Sequence, residues 1–501
     1  MMLSVFIWLP FIAAIGAAFL PLSGKQTKAL AFTASLLIVI ANIVLAFQFD
    51  PANTAMQFRE NIPWVAPLGL SYSLGIDGLS FPLLCVSSLL TVIAIYSTTR
   101  TIERHRFYYA LILLLNGAVA GAFLSQDLLL FFLFYELEIV PLYFLIAIWG
   151  GERRGYAAMK FLLYTAISGF LVLIAFLGVV WLTGADSFAY EALLNNNLPV
   201  DKQLLLLAPL LIGLAIKTPI FPFHTWLPDA HVEASTPVSI LLAGVLLKLG
   251  TYGLLRFGLG LFLEGWSVLA PWMATLAAVS ALYGASCAIA QKDMKKVVAY
   301  SSIAHMAYVL LAAAASTRLS VTAAMLQMVS HGLISALLFL LVGIVYTKTG
   351  SRDVDFLRGL LNPERGLPIT GTLMILAVMA SAGIPGMVGF ISEFLVFRGS
   401  FPIFPLQTLF CLIGSGLTAV YFLLMINKVF FGRLTPELAR IPRSTWTERY
   451  PAFVLSLLII VLGLQPGWIV RWSEPQAAVL LTGNSDVSAS VTLTGKANLL
   501  N

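Results

Sequence analysis

The segment LIGLAIKTPIFPFHTWLPDAHVEASTPVS, residues 211–239, begins as an apolar membrane helix and then departs from one. Lys217 lies inside the apolar run, and two prolines follow it within five residues. Because each proline removes a backbone donor and crowds the preceding turn, the pattern predicts a broken helix. Non-helical backbone at membrane depth survives only where it is buried in protein or lines a wet cavity, so Lys217 is predicted to face an internal aqueous path. His224 and His231 follow, and cavity-lining and structural roles are both open for them.

The composition indicates a polytopic membrane protein. Of 501 residues, 59% are hydrophobic and 10% are charged, whereas soluble domains average about 25% charged residues. Backbone in lipid must satisfy its own hydrogen bonds, which predicts a mostly helical chain. The cysteines lie in apolar segments without the spacing of a metal site or a disulfide framework, which predicts packing roles. They are Cys85, Cys287 and Cys411.

Apolar runs of about 20 residues recur and predict about fourteen transmembrane helices. A second interrupted segment, MASAGIPGMVGFISEF at residues 379–394, is similar in outline to the first. Paired broken helices predict two inverted five-helix repeats with an ion path near the midplane. The predicted fold is therefore an all-α membrane protein with five parts. They are the first three helices (1–106), the first repeat (107–257, broken near 217–224), the second repeat (258–432, broken near 381–392), a loop with the last helix (433–470) and a surface tail (471–501).

Lysine and arginine are distributed unequally between alternate loops. Most lie in one set, and the positive-inside rule then predicts an even number of spans with both termini on the non-cytoplasmic side. This orientation accounts for the net charge of +6, so no nucleic-acid partner is predicted. Lys160, near the start of its helix, is predicted to extend to the interface. Lys217 and Lys248 lie too deep in apolar sequence for such an escape.

Two glutamates lie in one apolar helix, in the stretch LFYELEIVP. Ionisable residues at membrane depth are costly and indicate function. A spacing of two places Glu136 and Glu138 on opposite faces of a helix. Glu136 is predicted to pair with Lys217 as a proton gate, with a static ion pair as the alternative. For Glu138 two roles stay open: a similar part in proton transfer, or contact with a neighbouring subunit.

Further titratable residues extend this path. Lys248 is predicted to be a relay residue rather than a structural cation capped by carbonyls. His305 and His331 lie on adjacent spans, and histidine suits proton transfer near neutral pH, with packing as the alternative. Glu393 follows the second break and is predicted to be a terminal proton site rather than an interface carboxylate. The predicted relay contains Glu136, Lys217, Lys248, His305, His331 and Glu393.

Several long stretches carry a family resemblance. They are FYELEIVPLYFLIAIWGG, IKTPIFPFHTWLPDAHVEASTPVSILLAGVLLKLGTYG, AYSSIAHMAYVL and GIPGMVGFISEF. Over about residues 75–432 the chain resembles the antiporter-like subunits of respiratory complex I. Glutamate rather than lysine at position 393 is similar to the NuoM or NdhD type. The stretches SLGIDGLSFPLL and GGERRGYAAMKFLLYTAISG most resemble the NdhD variant in the CO2-uptake form of the cyanobacterial NDH complex.

The resemblance implies a proton-translocating subunit of a ferredoxin- or NAD(P)H-linked plastoquinone oxidoreductase. It implies a pumping role for Glu136, Lys217, Lys248, His331 and Glu393. It also implies a multi-pass protein of the thylakoid membrane with both termini on the lumenal side. NdhF-type and NdhB-type neighbours and a CO2-hydration subunit are the implied partners.

Redox chemistry is predicted to occur in partner subunits. The chain has no GxGxxG fingerprint, cysteine ligand set or flavin-type site, so no cofactor or metal is predicted within it. Plastoquinone, iron–sulfur clusters and ferredoxin would belong to the partners. Two alternatives stay open: a subunit of an Mrp-type cation/proton antiporter without redox partners, and a structural membrane spacer without a proton path.

Overall fold

The computed structural model describes residues 1–98, 102–194 and 198–482, and most of them are helical. Within these ranges, eleven helices are long and apolar enough to cross a membrane, and two shorter apolar helices accompany them. The total of fourteen spans and the inverted relation of two repeats stay predictions. The helices are α1 (Ser4–Phe19), α2 (Gly24–Gln48), α3 (Ser80–Ser97), α4 (His105–Leu124), α5 (Leu128–Leu137), α6 (Ile139–Trp149), α7 (Arg154–Thr183), α8 (Tyr190–Leu194), α9 (Val200–Lys217), α10 (Trp226–Glu233), α11 (Thr236–Leu241), α12 (Leu247–Gly253), α13 (Leu263–Ile289), α14 (Met294–Ala315), α15 (Arg318–Thr349), α16 (Pro368–Ser381), α17 (Val388–Ser400), α18 (Pro405–Phe430), α19 (Trp446–Leu464) and α20 (Gly467–Thr482).

A β-hairpin departs from the predicted all-α class. Strands β1 (Gln57–Val65) and β2 (Leu70–Ile76) pair antiparallel in the long connection between α2 and α3. Gly69 at the turn has a φ of 66°, a left-handed conformation that glycine adopts at little cost. The prediction of an all-helical chain followed from lipid burial, which does not constrain backbone outside the membrane.

Burial separates inner helices from outer ones. Helix α15 and the segment Thr236–Leu259 are buried along their apolar windows, whereas α2, α7 and α18 leave large apolar side chains exposed on one face. A helix that is apolar all round belongs in a core or in lipid. The buried pair therefore forms the centre of the bundle, and the outer helices present their apolar faces to lipid or to other subunits.

Two helices are interrupted within the segments that the sequence singled out. Helix α9 ends at Lys217 and α10 begins at Trp226, with two prolines between them. Helix α16 ends at Ser381 and α17 begins at Val388. Gly383 in this second interruption has a φ of 71°, which few other residues adopt without strain. Proline thus interrupts the first helix and glycine helps to interrupt the second.

The segment Thr236–Leu259 has irregularities that the sequence did not predict. Two π-helical segments, Leu242–Leu246 and Leu254–Leu259, lie on either side of α12. Such π segments are rare and occur frequently at functional sites. Lys248 lies in α12, between the two.

The predicted surface tail is wrong for its first residues. Residues up to Thr482 belong to α20, which packs against α15 and buries Ser473, Ala477 and Leu480. The Trp472 ring packs 4.8 Å from the ring of Phe81, measured between centres. Helix α20 is too short and too polar to read as a span, so a search for long apolar runs misses it. The rest of the predicted tail, residues 483–501, lies outside the described residues.

Candidate functional site

Lys217, the last residue of α9, is fully buried in an ion contact with Glu138. Its Nζ lies 4.1 Å from the centre of the Tyr135 ring, in cation–π geometry. Helix α9 also packs closely on α7, because a Cβ on Gly213 would come 2.7 Å from the Ser168 carbonyl oxygen. One carboxylate and one aromatic face therefore balance the Lys217 charge away from solvent.

The partner of Lys217 is Glu138, and the predicted pairing with Glu136 is wrong. Glu138 stands between α5 and α6, where Pro141 disturbs the helical hydrogen bonding. Glu136 instead faces α7, where a Cβ on Gly169 would lie 1.7 Å from Glu136 Oε1. The spacing of two separates the carboxylates as predicted, but it does not show which of them faces α9.

Lys248 contacts His331 directly at the centre of the bundle. Its Nζ lies 2.8 Å from His331 Nδ1 and donates to the Ala243 carbonyl oxygen at 2.5 Å. Both side chains are buried. A protonated lysine only donates, so Nδ1 accepts and the ring proton of His331 stays on Nε2. The contact therefore links the α12 lysine to a titratable ring on α15.

His305 joins His331 to Glu393. The two imidazole ring centres are 5.8 Å apart, and His305 Nε2 lies 3.4 Å from Glu393 Oε1. His305 also lies near two carbonyl oxygens, with Nδ1 2.6 Å from Ser301 O and Nε2 3.2 Å from Ser381 O. A neutral imidazole has one N–H, so donation to both carbonyls fits the doubly protonated ring beside a carboxylate.

The second interruption borders Glu393. The Ser415 hydroxyl on α18 donates to Glu393 Oε2 at 2.7 Å. A Cβ on Gly383 would lie 3.6 Å from the same oxygen, and Ser381, at the end of α16, supplies the carbonyl that contacts His305. The broken helix thus contributes backbone to the site, as discontinuous helices do in transporters.

The predicted relay residues form two adjacent clusters. The first contains Glu136, Glu138 and Lys217, and the second contains Lys248, His331, His305 and Glu393. The clusters meet where α9 packs against α12, because a Cβ on Gly250 would lie 3.1 Å from the Lys217 Cβ. Six predicted residues therefore lie in one region of the bundle, five of them buried and Glu136 half-buried, and Glu138 joins them.

The remaining singled-out residues lie beside these clusters. His231 stacks on Phe339 with ring centres 4.3 Å apart, and within the described residues neither ring nitrogen has a hydrogen-bond partner. His224 packs against the ring of Tyr283 at 4.9 Å between centres. The Nζ of Lys160, near the start of α7, bonds Asp229 Oδ2 at 2.8 Å, and the extension of this side chain to the interface stays a prediction.

Sequence reasoning missed two buried cations that it assigned to loops. Arg256 is 1% exposed, and its Nη2 lies 2.5 Å from Asp77 Oδ2. Lys295 is also buried and donates to the Ala234 carbonyl oxygen at 2.5 Å. Apolar neighbours in LLRFGL and MKKVVAY were the available signal in the sequence. Among the described residues, no three histidine, cysteine or acidic side chains are grouped to hold a metal ion.

Comparisons with known proteins match this architecture. Residues 125–418 match the family described as NADH:quinone oxidoreductase/Mrp antiporter, TM. A curated relative, NAD(P)H-quinone oxidoreductase chain 4 1 of Synechococcus sp. (strain JA-3-3Ab), is 42% identical over 92% of this chain and 89% of the relative. Another, chain 4-2 of Synechocystis sp. (strain ATCC 27184 / PCC 6803 / Kazusa), is 41% identical over 87% of this chain and 79% of the relative.

Two solved structures have the same fold. A chain of respiratory complex I from Thermus thermophilus with bound NADH aligns with a TM-score of 0.88 and 28% identity, covering 96% of this chain and 99% of that chain. A chain of the Mrp complex from Dietzia sp. DQ12-45-1b aligns with a TM-score of 0.88 and 21% identity, covering 97% and 98%, which shows the fold alone. The predicted resemblance to antiporter-like complex I subunits is confirmed. The chain belongs to the NADH:quinone oxidoreductase/Mrp antiporter family of membrane proteins and is similar to chain 4 of cyanobacterial NAD(P)H-quinone oxidoreductases.

Proposed function

We propose that this chain is a proton-translocating, antiporter-like subunit of a membrane-bound NAD(P)H- or ferredoxin-linked plastoquinone oxidoreductase. The observation that carries the proposal is the buried series Lys248, His331, His305 and Glu393. Side chains of these types can accept and release protons when they lie within hydrogen-bond reach of one another or are joined by one water. The series crosses from α12 through α15 and α14 to α17, along the bundle and away from Lys217.

In this proposal the first cluster is a gate. While Lys217 contacts Glu138, the charges of both are balanced and the proton stays on the lysine. Separation of the pair leaves a buried ammonium without its counter-charge, which favours loss of the Lys217 proton because an unpaired buried charge is costly. The released proton passes towards Lys248 across the interface of α9 and α12.

The second cluster then carries the proton onward. Lys248 gives a proton from Nζ to His331 Nδ1, and the ring releases its Nε2 proton towards His305. The 5.8 Å between the ring centres requires a small ring rotation or one intervening water for this step. Because both nitrogens of His305 carry protons at rest, His305 first passes its Nε2 proton to Glu393, whose carboxylate is oriented by the Ser415 hydroxyl, and its freed Nε2 then takes up the proton from His331.

The relatives support a redox complex over an Mrp-type antiporter. Curated proteins named NAD(P)H-quinone oxidoreductase chain 4 share 40–42% identity with this chain, whereas the likeness to the Mrp complex is one of fold. In our proposal, iron–sulfur clusters, ferredoxin and plastoquinone bind to partner subunits. NdhF-type and NdhB-type subunits are its neighbours in a thylakoid membrane, with both termini on the lumenal side. The CO2-uptake form, with a CO2-hydration partner, rests on the sequence resemblance alone.

Affinity purification tests the assembly. The tagged chain is isolated in mild detergent from its native membrane, and the co-purifying subunits are identified by mass spectrometry. Subunits with iron–sulfur clusters and a quinone site would support the redox complex, and cation/proton antiporter subunits in their place would support the Mrp alternative. Recovery of a CO2-hydration protein would identify the CO2-uptake form. Its absence from an otherwise complete complex would contradict the assignment to that form.

Proton uptake by membrane vesicles tests the translocation. Uptake is followed by quenching of a pH-sensitive dye while quinone reduction is measured in parallel. We expect Lys217→Met to assemble and to lower proton uptake per electron. Lys160→Met is the matched control, because Lys160 lies outside both clusters, and it should keep the native ratio. A native ratio in fully assembled Lys217→Met would favour the structural spacer.

A further inference from the structure

A buried ion pair outside the relay holds the second π segment of the Lys248 helix. Arg256 lies within that segment, and both it and Asp77 are 1% exposed. Arg256 donates through Nη2 to Asp77 Oδ2 at 2.5 Å and through Nε to the Tyr252 hydroxyl at 3.2 Å. The guanidinium also lies 5.4 Å from the centre of the Tyr190 ring. The planar arginine fork is thus fixed in direction as well as charge.

Asp77 uses its other carboxylate oxygen to bind α3. Oδ1 accepts from the backbone N–H groups of Leu79 at 3.1 Å and Ser80 at 3.0 Å, at the start of that helix. The next residue, Gly78, has no room for a side chain, because a Cβ there would lie 1.8 Å from the Trp472 carbonyl oxygen on α20. Asp77 therefore connects the second π segment to α3 beneath the cover of α20.

Helix α3 also contacts the first π segment. The Leu90 side chain fills the space above Gly244, where a Cβ would come 2.2 Å from Leu90 Cδ1. Val86, one turn earlier on α3, lies 3.2 Å from the Cβ position of Gly332, the residue after His331. Helix α3 thus contacts the first π segment and the turn of α15 that bears the Lys248 partner, while Asp77, just before α3, contacts the second π segment.

The direction of the Lys248 side chain depends on how these π segments are fixed. In a π segment the backbone hydrogen bonds join residues five apart, rather than four apart as in an α-helix. One residue more or less in a turn rotates the rest of the helix by about 100°. Lys248 lies between two such segments, about 12 Å along the axis from Arg256. A change of either segment back to α-helix would turn Nζ away from His331.

We propose that Asp77 and Arg256 are positioning residues for proton transfer, which hold the second π segment so that Lys248 Nζ meets His331 Nδ1. Neither residue touches the relay itself. A buried ion pair adds little net stability compared with a well-packed apolar pair, and its best-attested use is to specify register. The inference rests on the proposed function, because it assigns the pair a role in the same proton path.

Removal of both charges separates positioning from stability. The double variant Asp77→Asn/Arg256→Met leaves no unpaired buried charge, and Arg256→Lys keeps the charge but cannot make both donor contacts. The matched control is Arg59→Met/Glu191→Gln, which removes an exposed ion pair between the hairpin and α8. Lys248→Met is the reference for a blocked relay. All are measured in the whole complex as assembled amount, quinone reduction and proton uptake per electron.

We expect the double variant to assemble and to lower proton uptake per electron to the level of Lys248→Met. Arg256→Lys should fall between this level and the native ratio, and the Arg59 and Glu191 control should match the native ratio. A purely structural pair would lower the amount of complex but leave the ratio per assembled complex unchanged. A native ratio in Arg256→Lys would overturn the inference even if the double variant failed to assemble. A native ratio in Lys248→Met would overturn the proposed function instead.

Discussion

The two interrupted helices present their charged groups in different ways. At the first, Lys217 contacts a single carboxylate, and both charges are sealed from solvent. At the second, Glu393 connects through two histidines to a lysine on another helix. In the proposed function the first arrangement has to open before a proton can leave it, whereas the second needs only a small ring rotation or one water between its two imidazoles. In this proposal, similar helix breaks serve a gate in one place and a conducting series in the other.

The two helix breaks also differ in the residues that form them. Two prolines lie in the break after Lys217, and proline restricts φ, so this end of α9 is stiff. Lys217 also lies at the carboxyl end of α9, where the helix dipole favours a cation. The break before Glu393 contains Pro385, and it also contains Gly383 and Gly386, both with positive φ. Glycine lets backbone and side chains approach closely, which suits a site that takes up a backbone carbonyl.

The largest expected effect distinguishes the two glutamates near Lys217. We expect Glu138→Gln to reduce assembled complex and to abolish pumping by this chain, because breaking a buried ion pair costs about 3–5 kcal/mol. Glu136→Gln should assemble normally, since Glu136 faces Gly169 and makes no ion contact with any residue that the structure describes. Native gels and proton uptake per electron measure both effects. A larger assembly defect in Glu136→Gln would contradict the pairing with Glu138.

A double variant sharpens this first test. Glu138→Gln/Lys217→Met removes both members of the pair, so no unpaired charge stays buried and assembly should recover. Proton uptake per electron should not recover, because the gate has lost its titratable groups. Recovery of both would mean that the pair is a packing element without a part in translocation.

The next effect tests the conducting series. His331→Gln keeps a polar side chain that can contact Lys248 but cannot carry a proton between Lys248 and His305. Assembly should be close to native, and the transfer step should slow by about 10²-fold or more, the usual contribution of a positioned acid or base. Single-turnover proton release in vesicles measures this step. The control is His224→Gln, which lies outside the series beside Tyr283, and equal slowing in both would contradict a specific role for His331.

The sequence predicted features that depend on local chemistry. Proline next to a lysine in an apolar run is enough to place the first interruption, and the apolar periodicity places the long helices. The six residues of the predicted relay could be singled out because a titratable group in lipid is costly wherever it points. These inferences need no knowledge of which helices pack together.

Features that depend on three-dimensional packing were not predictable in this way. The choice of Glu138 over Glu136 depends on which face of α5 and α6 meets α9. Each π segment near Lys248 contains one glycine, Gly244 or Gly258, but a single glycine does not predict a π segment, and both arise in a helix packed on all sides. Arg256 looked like a loop residue because its partner Asp77 is 179 positions away in the chain. Each of these depends on a distant partner that local sequence does not name.

The smallest expected effect concerns one ion-pair site in each of the two predicted repeats, at the end predicted to face the cytoplasm. Near the first interruption, Lys160 binds the partly buried Asp229. In the second predicted repeat, Asp355 in the loop after α15 binds Lys428 at 2.8 Å and Lys292 at 3.3 Å, and all three side chains are exposed. Hydrogen bonds from Lys428 and then Lys292 lower the pKa of Asp355 below its ordinary value. Exposed pairs contribute little and are screened by salt, so this loop should depend only weakly on its ion pairs.

The sign of the pKa shift fixes the pH range in which the Asp355 contacts act. A carboxyl group with a lowered folded-state pKa stabilises the fold above its unfolded pKa of about 3.9, and the contribution is lost as the pH falls through the folded value. Asp355→Asn should therefore speed hydrogen exchange of amides 353–361 by about twofold from pH 8 to pH 5, relative to the native chain at the same pH. The difference in exchange rate should disappear only at lower pH, and it should shrink in 1 M salt, which shortens the screening length to about 3 Å.

Asp229→Asn should disturb its own helix more, because the pair of Asp229 with Lys160 is less exposed. A difference for Asp355→Asn that vanished already at pH 5, or one larger than that for Asp229→Asn, would contradict this ordering of the two ends.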